Sequence, residues 1–106
     1  MAKYAFVGGI LVDGTGAAPV QDSLVLVDDD KITYAGPRTE VPAGYEVEDC
    51  TGKTVMPGLI DTHLHFSGNL TDDDNDWVIE SVAQKQACAV KQSYDCLTHG
   101  LTTVCE

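Results

Sequence analysis

Basic residues are scarce in this chain of 106 residues, which has 6 lysines and arginines against 17 aspartates and glutamates. The formal charge of −11 repels phosphate backbones and anionic lipid, so nucleic-acid binding and membrane-surface binding are not expected. Long hydrophobic runs are also lacking, since none approaches the ~20 residues of a membrane span. Lys3 followed by Tyr4–Val12 is similar to a short signal peptide, but Gly8-Gly9 and Asp13-Gly14 favour a strand and a turn there.

Closely spaced cysteine pairs are missing as well. The four cysteines contain no Cys-x-x-Cys spacing, which disfavours a structural zinc knuckle. We expect buried free thiols rather than disulfides, because unpaired cysteine behaves as a small apolar residue. Free thiols fit a reducing cytosol, so a cytoplasmic protein is predicted. The cysteines are Cys50, Cys88, Cys96 and Cys105.

Several familiar catalytic and ligand-binding motifs are absent. The acidic run Asp72–Asp76 lacks the spaced ligands, central glycine and distal glutamate of a calcium loop, and it is typical of a solvated loop at a helix start. The glycines at 8–9 and 14–16 do not lead into a helix, which excludes a phosphate-binding loop. No serine or cysteine stands in a nucleophile-elbow context.

Residues 1–57 read as a β domain made of short strands separated by turn residues. The triplet Asp28-Asp29-Asp30 is typical of an exposed hairpin tip, because aspartate tolerates unusual backbone angles. This spacing predicts a small β-sandwich or an open barrel. The predicted strands are Tyr4–Val12, Ser23–Val27, Lys31–Ala35, Tyr45–Asp49 and Thr54–Met56.

The hydrophobic period changes in residues 58–106, where we predict a strand, a helix and a second, parallel strand. Gly58–His65 is predicted as a fully buried strand, Phe66–Asn75 as a polar loop, and Leu101–Cys105 as a second buried strand. The intervening helix is predicted to begin near Asp76 and to end at Gly100 in a left-handed conformation. Its apolar stripe consists of Ile79, Val82, Ala83, Ala87, Val90, Tyr94 and Leu97.

Two histidines, His63 and His65, fall on one face of the first of these strands, because side chains alternate along a strand. Adjacent imidazoles are a common beginning of a metal site. A bare His-x-His is also compatible with surface or hydrogen-bonded histidines. Here the pair follows a Pro57-Gly58 break inside an apolar run, and Asp61 lies on the same face.

Three segments resemble landmarks of the amidohydrolase superfamily, namely Gly9–Gly16, Asp49–Phe66 and His99–Val104. Within the superfamily the chain looks most like the branch related to imidazolonepropionase and prolidase. The resemblance implies an α/β fold in which the β domain precedes the first β-α-β unit of a (β/α)8 TIM-type barrel. A whole barrel needs about 250 residues, so the chain is expected to be an N-terminal fragment with an incomplete barrel. It departs from the branch at Cys105 and Glu106, where an arginine and an aspartate are common.

The resemblance implies that His63 and His65 bind a divalent metal, and zinc is expected because it is common in the family and suits imidazole ligands. A bound metal lowers the pKa of water, so that hydroxide can attack an amide carbonyl. Asp61 is a candidate hydrogen-bond partner of these ligands, and a structural hydrogen bond from Asp61 to nearby backbone is an equal alternative. The remaining ligands should come from later strands. His99 is interpreted as a structural residue at the helix end.

We therefore predict the N-terminal part of a metal-dependent amidohydrolase that cleaves amide, cyclic amide or dipeptide-like C–N bonds of a small-molecule substrate. The chain alone should be inactive. The alternative is a non-catalytic β-rich module or a self-associating fragment with no activity of its own. In either case we expect self-association, or completion by missing C-terminal segments, because the predicted parallel strands have open edges.

Overall fold

The computed structural model describes residues 2–66 and 81–105 as a mixed α/β structure that divides into two compact units, Met1–Pro57 and Gly58–Glu106. The described elements are β1 (Lys3–Val7), β2 (Ile10–Leu11), β3 (Ser23–Asp28), β4 (Lys31–Pro37), β5 (Glu46–Asp49), β6 (Thr54–Val55), β7 (Leu59–Asp61), α1 (Val82–Thr98) and β8 (Leu101–Val104). The predicted α/β class is confirmed.

The first unit is built around a four-stranded sheet in the order β4-β3-β1-β5. β1 pairs antiparallel with β3 and parallel with β5, and β3 pairs antiparallel with β4. The register sets Ala5 opposite Leu26 and Val7 opposite Leu24, so their side chains share one face and form the core. Val25 points to the other face and is buried too, which means that both faces of β3 are covered.

The predicted strand Tyr4–Val12 is wrong as a single element. It breaks at Gly8-Gly9 into β1 and β2, and β2 pairs in parallel with β6 in a separate two-stranded sheet. Gly8 has a φ of +83°, which a residue with a side chain rarely adopts. A Cβ on Gly9 would also press against Cys50 at 3.0 Å. The chain therefore changes sheet at these two glycines.

The acidic triplet forms the turn that joins β3 to β4, as predicted. Asp29 adopts a φ of +55°, a left-handed conformation that aspartate tolerates better than most residues. At the base of this hairpin the Lys3 ammonium lies 2.7 Å from the Asp28 carboxylate. The hydrogen bond to Asp28 raises the pKa of Lys3 above its ordinary value.

The described part of the second unit contains a parallel pair, β7 and β8, and the helix α1 that precedes β8. Ser81 caps the helix: its hydroxyl accepts from the backbone N–H of Gln84, and the Gln84 side chain accepts from the backbone N–H of Ser81. Gly100 follows the helix with a φ of +89°, which confirms the predicted left-handed ending. The strand, helix, parallel strand order also agrees with the prediction.

Both strands of this unit are shorter and more exposed than predicted. β7 ends at Asp61, so His63 and His65 lie beyond it, and Leu59 and Ile60 expose 47% and 67% of their surface. β8 is only partly covered, and Cys105 is exposed. The physical reason is that each strand has one partner strand within the described residues, which leaves their faces largely uncovered.

The helix also differs from its prediction. The described helix begins at Val82, where the Ser81 side chain caps the first turn, and the predicted start near Asp76 lies outside the described residues. The described part of the predicted apolar stripe is exposed, with Val82 and Val90 both at 72%. The side that is buried carries Cys88 instead. The predicted loop after Phe66, the acidic run 72–76 and Ile79 lie outside the described residues, as does Glu106.

All four cysteines are free thiols, as predicted. Cys50 and Cys88 are buried, but Cys96 is half-buried and Cys105 is exposed, so the expected burial is wrong for the last two. In the part of the chain that the structure describes, no helix is long and apolar enough to cross a membrane.

Candidate metal centre

His63 and His65 lie side by side immediately after β7. Their ring centroids are 4.9 Å apart and the ring planes are nearly perpendicular, at 83°. Both side chains are exposed. An imidazole that is accessible and adjacent to a second imidazole can present one nitrogen of each ring to a common ion.

The strand stops before the histidines because Asp61 uses its side chain to turn the backbone. Its Oδ1 accepts a hydrogen bond from the backbone N–H of His63 at 3.0 Å. A short carboxylate that accepts from the N–H two residues later forms an Asx-turn, which competes with continued strand pairing. The structure thus shows Asp61 in contact with nearby backbone, and a hydrogen bond from Asp61 to a metal-bound histidine stays a prediction.

Backbone hydrogen bonds continue past the strand end and hold this turn in place. The Cys105 N–H donates to the Asp61 carbonyl at 2.9 Å, and the Leu64 N–H donates to the Cys105 carbonyl at 3.0 Å. The segment between the two histidines is therefore tied to the residue that follows β8. The histidine pair lies at the carboxyl end of a parallel strand, which is where α/β folds place their ligand-binding residues.

A second connection comes from helix α1, through Gln92. Its side-chain amide faces the backbone carbonyls of His65 and Phe66. Since carbonyls only accept hydrogen bonds, we assign the amide nitrogen to this side, at 3.1 Å from the His65 oxygen and 2.6 Å from the Phe66 oxygen. Sequence patterns do not single out Gln92, because it contacts backbone carbonyls and these leave no trace in the pattern of side chains.

A complete metal site is not formed by the described residues alone. No group of three or more histidine, cysteine, aspartate or glutamate side chains is close enough to hold an ion within 2–66 and 81–105. The third histidine, His99, is engaged elsewhere. Its Nδ1 lies 2.7 Å from the Asp95 carbonyl, and its backbone N–H donates to the same oxygen at 3.0 Å. This agrees with its interpretation as a residue that caps the helix end.

The first unit contains an apolar hollow of about 140 Å³ that lacks paired catalytic groups. Asp13 is its one ionisable side chain. Hydrogen bonds from the backbone N–H and hydroxyl of Thr15 hold the pKa of Asp13 below its usual value, so this carboxyl is a poor proton donor near neutral pH. The other lining residues are Leu11, Val25, Ile32, Ala35, Val55, Met56 and Pro57.

The sequence profile of the amidohydrolase family matches residues 54–106, which is half of the chain and includes both histidines. The chain belongs to the amidohydrolase family. The resemblance noted in the three sequence segments is thereby confirmed for the segment that carries the histidine pair.

Individual family members agree with this assignment. The chain is 43% identical over 67 residues to an imidazolonepropionase of Hyphomonas neptunium, covering 55% of this chain and 16% of that protein. It is 41% identical over 73 residues to a 5-methylthioadenosine/S-adenosylhomocysteine deaminase of Symbiobacterium thermophilum, covering 66% of this chain and 17% of that protein.

A solved prolidase structure shares the fold. A prolidase complexed with N-methylphosphonate-L-proline superimposes with a TM-score of 0.83, covers 97% of this chain and 25% of that chain, and is 22% identical. At this identity the likeness concerns the fold alone. The present chain thus spans about a sixth of the length of the two sequence relatives and a quarter of the prolidase.

Proposed function

We propose that this chain carries the first two metal ligands, His63 and His65, of a hydrolase that cleaves C–N bonds in small molecules with a metal-activated water. The observation that supports this proposal is the pair of accessible imidazoles, 4.9 Å apart, inside the segment that the family profile matches. The relatives are named as an imidazolonepropionase, a deaminase and a prolidase, which favours amide, cyclic amide or dipeptide-like bonds.

The donor set suits a divalent metal, and zinc in particular. Neutral imidazole nitrogen is among the preferred ligands of zinc, at about 2.0–2.1 Å. Two such ligands on a tetrahedral ion lie about 3.4 Å from each other, a separation that rings at 4.9 Å between centroids allow. A catalytic zinc site normally has three protein ligands, so at least one more ligand must come from outside the described residues.

The roles of the chain's own residues follow from their contacts. His63 and His65 would hold the ion. Asp61 fixes the backbone of His63 and so sets the position from which the His63 side chain extends. When bound, the ion would supply hydroxide near neutral pH by lowering the pKa of a water. Exposure of both rings leaves the space above them accessible to a substrate.

The wider architecture of the parent protein is part of the same proposal. We propose that β7, α1 and β8 form the first unit of a (β/α)8 barrel and that residues 1–57 contribute to a β-sandwich. The parallel pairing of β7 with β8 and the sheets of the first unit support this arrangement. The four free thiols support a cytoplasmic location.

A zinc titration followed by NMR of the imidazole protons tests the metal proposal. We expect the resonances of His63 and His65 to shift together with weak affinity, because two ligands fall short of a full site, while His99 does not respond. His63→Ala should abolish the response of His65, whereas His99→Ala, the matched control, should leave it unchanged. A response confined to His99, or one that survives His63→Ala, contradicts the proposal.

A second candidate is a non-catalytic module that associates with copies of itself through the β7–β8 pair. The observation that favours it is the exposure of Leu59 and Ile60 on a two-stranded sheet whose outer edges are unpaired within the described part of the chain. Unpaired edges and exposed apolar side chains both promote association.

A further inference from the structure

The side chain of Gln92 reaches from helix α1 to the backbone that follows the histidine pair. A carbonyl oxygen only accepts hydrogen bonds, so the amide oxygen of Gln92 would be repelled at this position and the amide nitrogen is attracted. Oriented in this way, Gln92 Nε2 donates to the His65 carbonyl at 3.1 Å and to the Phe66 carbonyl at 2.6 Å. Both protons of one amide are then used on consecutive residues.

These two hydrogen bonds hold the residues that follow directly after those held by Asp61 and Cys105. The Asp61 carboxylate and the Cys105 backbone hold the segment as far as Leu64. His65 lies past that point, on the side of the turn that Gln92 contacts. The backbone at His63 is thus held from the strand, and the backbone at His65 is held from the helix.

We propose that Gln92 is a positioning residue for the histidine pair: by binding the carbonyls of His65 and Phe66, it sets the separation and angle of the two imidazoles. Its consequence for metal binding rests on the function proposed above, whereas its effect on ring geometry does not. Groups that orient metal ligands typically change metal affinity about 10- to 100-fold when they are removed, and we expect a loss in that range.

Gln92→Met tests the proposal, since methionine keeps the length of the side chain and removes the donor. Gln86→Met is the matched control, because Gln86 is on the same helix and is exposed. The readout is the nuclear Overhauser effect between ring protons of His63 and His65, measured without metal. We expect it to be lost or strongly reduced in Gln92→Met and retained in Gln86→Met. An unchanged effect in Gln92→Met overturns the proposal.

A rescue variant separates positioning from general stability. Gln92→Lys keeps a donor of sufficient reach, so it should retain the contact between the rings that Gln92→Met loses. A purely structural role predicts instead that Gln92→Met melts at a lower temperature while its ring contact below the transition is native. If Gln92→Lys and Gln92→Met lose the ring contact equally, the hydrogen bonds are not the cause and the proposal fails. Because the ring contact is measured without metal, these variants test the positioning role of Gln92 even if the zinc titration shows no response.

Discussion

Gly58 occupies a point where the backbone at the start of β7 meets a side chain of β8. A Cβ built on Gly58 would overlap the Thr102 side chain, including its Cβ, which no rotation can move away. Threonine is β-branched and has few alternative rotamers, so it yields little. The glycine at the start of this strand is therefore required by its contact with Thr102.

Gly58→Ala should destabilise the second unit by about 1–3 kcal/mol, the usual cost of forcing an extra methyl group into a packed contact. The double variant Gly58→Ala/Thr102→Gly removes the overlapping atoms and should recover part of the loss. Urea unfolding followed by helix circular dichroism measures both. Equal stability of the wild type and Gly58→Ala would show that β7 and β8 can move apart to fit the methyl group without loss of unfolding free energy.

The sequence predicts that His63 and His65 are adjacent, but it does not predict the backbone conformation that brings their rings together. Strand alternation would place both rings on one face only if the strand continued to His65, and it ends at Asp61. The Asp-x-His pattern, with a carboxylate two residues before an N–H, was compatible with an Asx-turn as well as with a strand. The contact with Gln92 was beyond sequence reasoning, because it joins a helix to backbone atoms distant in the chain.

The sequence contains a signal for the start of helix α1, because it shows the capping box at its first turn. Ser81 and Gln84 match the pattern of a serine followed three residues later by glutamate or glutamine. The helix itself is predictable from its period of apolar residues. Which side of the helix is buried is not predictable in the same way. Periodicity finds the apolar arc around Val90 without identifying what covers it, and the buried side is instead the one that carries Cys88.

Ser81→Ala should destabilise α1 by about 1 kcal/mol, because it leaves a backbone N–H at the helix start without its side-chain acceptor. Ser93→Ala is the matched control. Ser93 donates to the Ala89 carbonyl within the helix, and its replacement by alanine should be neutral or slightly stabilising. Thermal melts at the helical circular dichroism band compare the two. Equal losses in both variants would argue against a specific role of the cap.

Across the whole molecule, local pairings were predictable and distant ones were not. The β3–β4 hairpin is marked by its aspartate turn, and the β7–β8 pair by the helix between them. The parallel pairs β1–β5 and β2–β6 join segments about 40 residues apart with no signal in the turns. Because any exposed strand edge can accept a partner, pattern alone leaves these pairings open.

We expect the chain to associate at high concentration and to dissociate on dilution, through the exposed strands of the second unit. Ile60→Lys should shift the equilibrium toward the monomer, because a charge opposes burial of that surface. Ile32→Lys, in the first unit and of similar exposure at 69%, is the control and should not. Light scattering over a hundredfold dilution measures the mass. A wild-type monomer at every concentration, or an effect of Ile32→Lys alone, would contradict this expectation.

The uneven distribution of buried side chains has a consequence for how the chain unfolds. Among the described residues, the second unit buries Cys88 alone, whereas the first unit buries a cluster around Leu24 and Ala5. Resistance to local opening depends on buried contacts, so we expect the cluster of the first unit to open less readily than the described part of the second unit. Amide protons of β1 and β3 should then exchange with solvent far more slowly than those of α1. The segment with the histidines belongs to the second unit, and we expect it to open at a smaller free energy than the buried cluster of the first unit.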